Sequence, residues 1–424
     1  MRMQTITTKG LRQSAATMLL LAMLIASAAP LSAGKKKKED AKTETPVLER
    51  LDYSRIVWPN PPAITRVKYM DFFAAEKLPE QREQKVGWMD RLSGVATGET
   101  AKSKPLFQLA QPYGLAVDSK NRMYVADQKV GAIFIFNTET KDVELIKNGT
   151  HANFKLITGL AIDDTDRVFV SDSTANHVLV LDPKTHRAEA TITAGMASPA
   201  GLAVDNENRF LYVADTELDQ VLVYNADSPY NLLRKIGTAG KKHELTEPGQ
   251  FARPTNVAVD SDGNLYVSDT FNNRVEIFDA EGNFVSAFGK AGDGPGYFAR
   301  PKGIAVDKDG HVWVADSVQD RVQLFTREGK LLLYMGGHGM LPGQFSSVQG
   351  LTIDKNNRVF TSDMYPGRVQ MFRYIPDDDA KAELAKREAQ AQKKSVSAGK
   401  PVAKKDDATV AQKDAERAKD SAVK

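Results

Sequence analysis

Apolar residues along the middle of the chain fall in short runs, not at helical spacing. In Arg274-Val275-Glu276-Ile277-Phe278 and Arg321-Val322-Gln323-Leu324-Phe325 they sit at alternate positions before a closing Phe. Such alternation predicts half-buried strands. Between these lie continuous apolar runs such as Gly303-Ile304-Ala305-Val306, which suit strands covered on both faces. No copy of the pattern sustains the i, i+3, i+4 spacing of a helical solenoid.

The runs recur. Six segments of the form Gly-Leu-Ala-Val-Asp end at Asp118, Asp163, Asp205, Asp260, Asp307 and Asp354, with Asn256 replacing Gly in the fourth. Each is followed by a second signature of the form Tyr-Val-Ala-Asp, ending at Asp127, Asp172, Asp215, Asp269, Asp316 and Asp363. The two aspartates are 9 residues apart, or 10 in the third copy. The unit returns about every 47 residues and holds four strands, so the fold predicted is all-β: a six-bladed β-propeller of four-stranded antiparallel blades. The sixth copy supplies three strands before Pro376, while a strand-like segment at 66–73 precedes the first copy. That N-terminal strand is expected to complete the last blade and close the ring, removing an exposed edge.

The flanks have a different composition. Basic residues Arg2, Lys9 and Arg12 precede an apolar run and the small-residue exit Ala26-Ser27-Ala28. This predicts a signal peptide at 1–28, an uncleaved anchor being the alternative, and hence a periplasmic or extracellular protein. A linker at 29–60, the propeller at 61–376 and a charged, disordered tail at 377–424 complete the expected organisation. Within an insertion at about 79–105, Trp88, Leu92 and Val95 would share one face of a short helix. The chain carries 57 basic and 54 acidic residues, but residues 41–376 hold 38 and 42, so the expected fold is acidic by four charges. That argues against a nucleic-acid partner. The complete lack of cysteine excludes disulfides and thiolate metal sites.

The repeats resemble the NHL family, whose blades read Pro-x-Gly-Ile-Ala-Val-Asp, then Val-Ala-Asp, then Asn-Arg-Val-Gln-Val-Phe. The likeness covers about 105–375 and is strongest at Pro301-Lys302-Gly303-Ile304-Ala305-Val306-Asp307. With the leader and the Trp58 to Pro62 stretch, the layout is similar to exported bacterial NHL propellers. The resemblance implies a six-bladed ring but no single activity. A related propeller class, the peptidyl-hydroxyglycine amidating lyases, places zinc-binding His just before the blade Gly. Those positions here are Tyr113, Thr158, Ala200, Thr255, Lys302 and Gln349, none of them a zinc ligand.

No metal or other cofactor is therefore expected. The Asp-x-Asp-Gly turns at 260–263 and 307–310 lack the Gly and Glu that an EF-hand needs at its sixth and twelfth positions. The Gly-rich stretches near 289–296 and 336–343 recur, and read as inter-blade connections anchored by Phe251, Phe298 and Phe345. The second-signature aspartates also recur in every blade, as structural acceptors would, with Arg274, Arg321 and Arg368 as charge partners. The expected function is a monomeric, non-enzymatic scaffold binding an envelope protein or small ligand at one end of the channel, near the six positions preceding the blade Gly. A propeller lyase or hydrolase is the alternative.

Overall fold

The computed structural model describes residues 52–75, 107–239 and 247–397. The expected signal peptide, most of the linker, the helix at 88–95 and the last part of the tail lie outside them. The described chain forms six antiparallel blades. Each inner strand lines the channel: Pro112–Val117, Ile157–Ile162, Pro199–Asp205, Pro254–Val259, Pro301–Val306 and Val348–Ile353. Glycine lets these strands approach closely. A Cβ on Gly303 would lie 2.8 Å from the carbonyl oxygen of Gln349, and those on Gly114, Gly159 and Gly350 would fall still closer to the next blade's backbone. Serine then ties neighbouring blades. Ser171 Oγ accepts from Gly159 N–H at 2.7 Å and donates to the carbonyl of Ala200, and Ser362 Oγ does the same between Gly350 and Tyr113.

The hairpins obey the backbone requirements of tight turns. The residue before each third strand is left-handed: Gly131, Asn176, Asp219, Asn273, Asp320 and Gly367. Gly, Asn and Asp tolerate that conformation best. Both aspartate families fasten turns. Asp118 accepts from the backbone of Lys120 and Arg122 at 3.0 and 2.8 Å, and its other oxygen meets Arg122 Nε at 2.7 Å. At the opposite end of the blade Asp316 accepts four backbone N–H groups, from Ala299, Arg300, Val318 and Gln319. All six second-signature aspartates are fully buried.

Closure follows the expected plan. Val67–Phe73 pairs antiparallel with Arg368–Tyr374 and supplies the outer strand of the sixth blade. The ordered N-terminal segment begins earlier than the linker reading allowed. A 3-10 turn at Tyr53–Arg55 and a fifth strand, Val57–Trp58, extend the same sheet. Tyr53 packs edge-on against Tyr69 at 5.1 Å and Trp58 against Phe372 at 5.7 Å, so aromatic contacts hold a segment too short to show periodicity. The tail expectation is also corrected, because Asp377–Ser397 is a helix, α1. Lys68 Nζ lies 2.7 Å from Glu383, Arg66 pairs with Asp377, and Ala380 is buried. Charge, buried Ala380 and half-buried Leu384 dock it where a longer apolar stripe is lacking.

The three Gly-rich connections share one clamp. Gln323 and Gln370 accept from Gly296 and Gly343 N–H at 2.8 and 2.9 Å, while Phe251, Phe298 and Phe345 are fully buried. In the fourth blade Glu276 plays this part, accepting from Gly249 N–H at 2.7 Å. Burial pushes its carboxyl up to about 7 from 4.5. Between those values the folded state keeps a proton that the unfolded chain has released, so stability falls as pH rises through the window and levels off above it. At pH above 7, Glu276→Gln should therefore raise the unfolding free energy measured in urea by on the order of 2 kcal/mol, and change little below pH ~4. Equal effects at both pH values in urea melts would contradict this. Deleting residues 60–75 should leave insoluble or uncooperatively melting protein, checked by soluble yield and circular dichroism.

Candidate functional site

The inner strands enclose a channel of about 280 Å³, and its two ends differ in chemistry. One end is bordered by Asp118, Asp163, Asp164 and Asp354. There each carboxylate meets an arginine: Arg122, Arg167, Arg209 and Arg358 respectively. The other end opens into a cavity of about 440 Å³ formed where the inner strands begin. Tyr113, Thr158, Ala200, Thr255 and Lys302 all border it, so five of the six sequence-derived positions meet in one mouth. Gln349, the sixth, is buried beside them and accepts from Lys302 Nζ at 2.6 Å.

The repeat explains this convergence. The position before the blade Gly occupies the same height in every blade, so the ring turns one sequence register into one circle of side chains. Other circles went unread. Ser173, Thr216, Thr270 and Ser317, each directly after a blade aspartate, also line the mouth. Arg253 and Arg300 reach it from the position before the inner-strand proline, in the repeated Phe-Ala-Arg-Pro sequence. That repeated Arg and the recurrent hydroxyl after Asp were the available signals.

Electrostatics set the mouth apart. Its lining includes Arg253, Arg300 and Lys302 but no carboxylate. Phe271, an exposed aromatic, has the Arg300 and Arg253 guanidinium carbons 4.4 and 5.7 Å from its ring centre. Lys302 Nζ stands 5.5 Å from the centre of the Tyr113 ring. Burial lowers the Lys302 ammonium below the usual lysine range, and pushes the Tyr113 phenol up to about 12. Tyr113 is therefore a neutral donor or acceptor near neutrality, and Lys302 is a cation held partly out of water.

The blade aspartates sit behind this surface as fasteners. Arg274 and Arg368 pair with Asp269 and Asp363, as expected. Arg321 does not join Asp316. It reaches the carbonyl of Asp293 and lies over Tyr334, because four backbone donors already surround Asp316. A further cluster, Asp307, Asp309 and His311, brings three possible metal-ligand atoms within 4.8 Å. Asp307 is occupied there by Trp313 Nε1 at 2.9 Å, His311 Nδ1 at 3.1 Å and two backbone N–H groups, the bonding of a closed turn.

A family model described as a 6-bladed beta-propeller matches residues 250–322. Over 44 residues the chain is 48% identical to the Drosophila melanogaster protein brain tumor, a match spanning 10% of this chain and 4% of that protein. Among solved structures, a Bacteroides thetaiotaomicron protein of unknown function is similar at a TM-score of 0.51 and 16% identity, covering 63% of this chain and 70% of that one. Virginiamycin B lyase from Staphylococcus aureus is similar at 0.46 and 14%, covering 63% and 96%. The chain is a six-bladed β-propeller.

A fastening role for Asp316 has a measurable signature. Asp316→Ala removes a fully buried acceptor shared by four backbone N–H groups and should cost about 3 kcal/mol in urea unfolding. Asp316→Asn, which keeps one carbonyl oxygen, should lose less.

Proposed function

We propose that this propeller is an exported, NHL-type binding module that works as a scaffold in the bacterial envelope, with the cation-lined mouth as its recognition surface. The observation carrying this reading is the convergence of five of the six positions before the blade Gly on a single cavity of about 440 Å³. That volume lies within the span of ~300–1,000 Å³ common to ligand pockets. Hydroxyls, an exposed aromatic and three cations bind and orient a ligand. Of the side chains that commonly transfer protons, the mouth's lining among the described residues holds Lys302 and Tyr113. Export rests on the basic and apolar pattern of residues 1–28. Nucleic acid is disfavoured as a partner by the acidic excess of residues 41–376.

Immobilised protein exposed to envelope extract, split by filtration into large and small components, tests the reading. Wild type and the outer-strand control Val285→Glu should retain the same material, and Lys302→Glu should lose it. Mass spectrometry of the eluates reads the result. Retention of an unchanged set by folded Lys302→Glu would show that the mouth is not the recognition surface.

A further inference from the structure

We infer that the mouth takes a small hydroxylated anion: a solute whose carboxylate or phosphate lies next to hydroxyl groups. The inference rests on the binding reading above and names the ligand class for that surface. Its first support is charge. Arg253 is exposed, Arg300 and Lys302 are half-buried, and no ion pair joins any of them to a carboxylate among the described residues. Among the described residues Lys302 meets the neutral Gln349 oxygen and the Tyr113 ring. Arg300 meets the Ala299 carbonyl at 2.9 Å and the ring of Phe271. At the other end of the channel the four bordering carboxylates are all paired with arginines, and Lys355 donates to the carbonyl of Ser119.

A cation held partly out of water gains most from an anionic partner that shares its site. A guanidinium fork fits carboxylate and phosphate alike, so both sources satisfy the arginines.

The second support is the state of the hydroxyls. Thr270 Oγ1 donates to the carbonyl of Pro301 at 2.7 Å, and Thr216 Oγ1 to that of Ser198 at 3.2 Å. Ser173 and Ser317 donate to Leu156 and Arg300, each at 3.3 Å. In these bonds the hydroxyl oxygens keep lone pairs to which hydroxyl groups of a ligand can donate. A bare oxyanion would meet them with its own lone pairs. Hydroxyl groups flanking the acid supply the missing donors. The size of the cavity, about 440 Å³ at the entrance of the channel and bordered by Phe271 and Val318, suits a solute better than a folded partner.

Isothermal calorimetry on the full chain tests this with glucuronate, a glucose phosphate, neutral glucose and inorganic phosphate. One of the two organic anions should bind at least about ten-fold more tightly than neutral glucose and than inorganic phosphate, and weaken as salt rises. Which one binds identifies the acid. Lys302→Gln and the rim variant Arg300→Ala should each lower that affinity about ten-fold with unchanged melting temperatures. Equal binding of neutral glucose or of inorganic phosphate would overturn the inference. So would silence from both organic anions, or affinities indifferent to Lys302→Gln and Arg300→Ala. The extract experiment separates these failures: material lost from Lys302→Glu keeps the mouth as the recognition surface for a ligand of other chemistry.

Discussion

The inner strands of six blades must pass one another at backbone distance, and the rest of the molecule depends on that approach. Side chains at Gly114, Gly159, Gly303 and Gly350 would enter the neighbouring strand's peptide groups. Overfilling a packed interior typically costs ~1–3 kcal/mol per site, and the ring has five such glycines, Gly201 included. Asn256 is the tolerated variation, because its side chain turns toward Gly201, where no Cβ competes. The close approach also aligns the serines that bridge adjacent blades, and it narrows the channel enough for one residue per blade to form its mouth.

Two sets of aspartates stabilise this ring from opposite ends. The first satisfies the turn leaving each inner strand, and the second draws the incoming connection against the turn before the third strand. Buried carboxylates are costly unless surrounded by donors, and here the donors are backbone groups that would otherwise lack partners. The polar groups at the mouth are held by the same frame. Thr216, Thr270 and Ser317 follow their aspartates directly, so each turn that is fixed also fixes a hydroxyl.

Much of this was legible because repetition multiplies weak signals. One Val-Ala-Asp means little, but six at fixed spacing specify blade, register and closure. The mouth was legible for the same reason: a register position shared by all blades becomes a circle. Most of what escaped occurs once. Val57–Trp58 is two residues long and holds through Trp58 and its aromatic neighbours. Helix α1 docks by Lys68 and Arg66 on a distant strand, which no local pattern encodes. Arg321 occupies the same register as Arg274 yet points elsewhere, since the donors around Asp316 come from backbone that composition does not reveal. Arg253 and Arg300 were visible as a repeated word, but their shared ring at Phe271 exists only once the blades are curled.

The closing strand gives the ring a seam. Its pairing joins residues about 300 positions apart, whereas every other blade is assembled from one continuous stretch. Loop-closure entropy makes such a contact late and slow to form, so the last blade sets the pace of folding. Until it forms, the outer edge of Arg368–Tyr374 is an unpaired template open to the same segment of another chain. Domain exchange at this one position would yield a dimer in which both rings are complete and each mouth is unchanged.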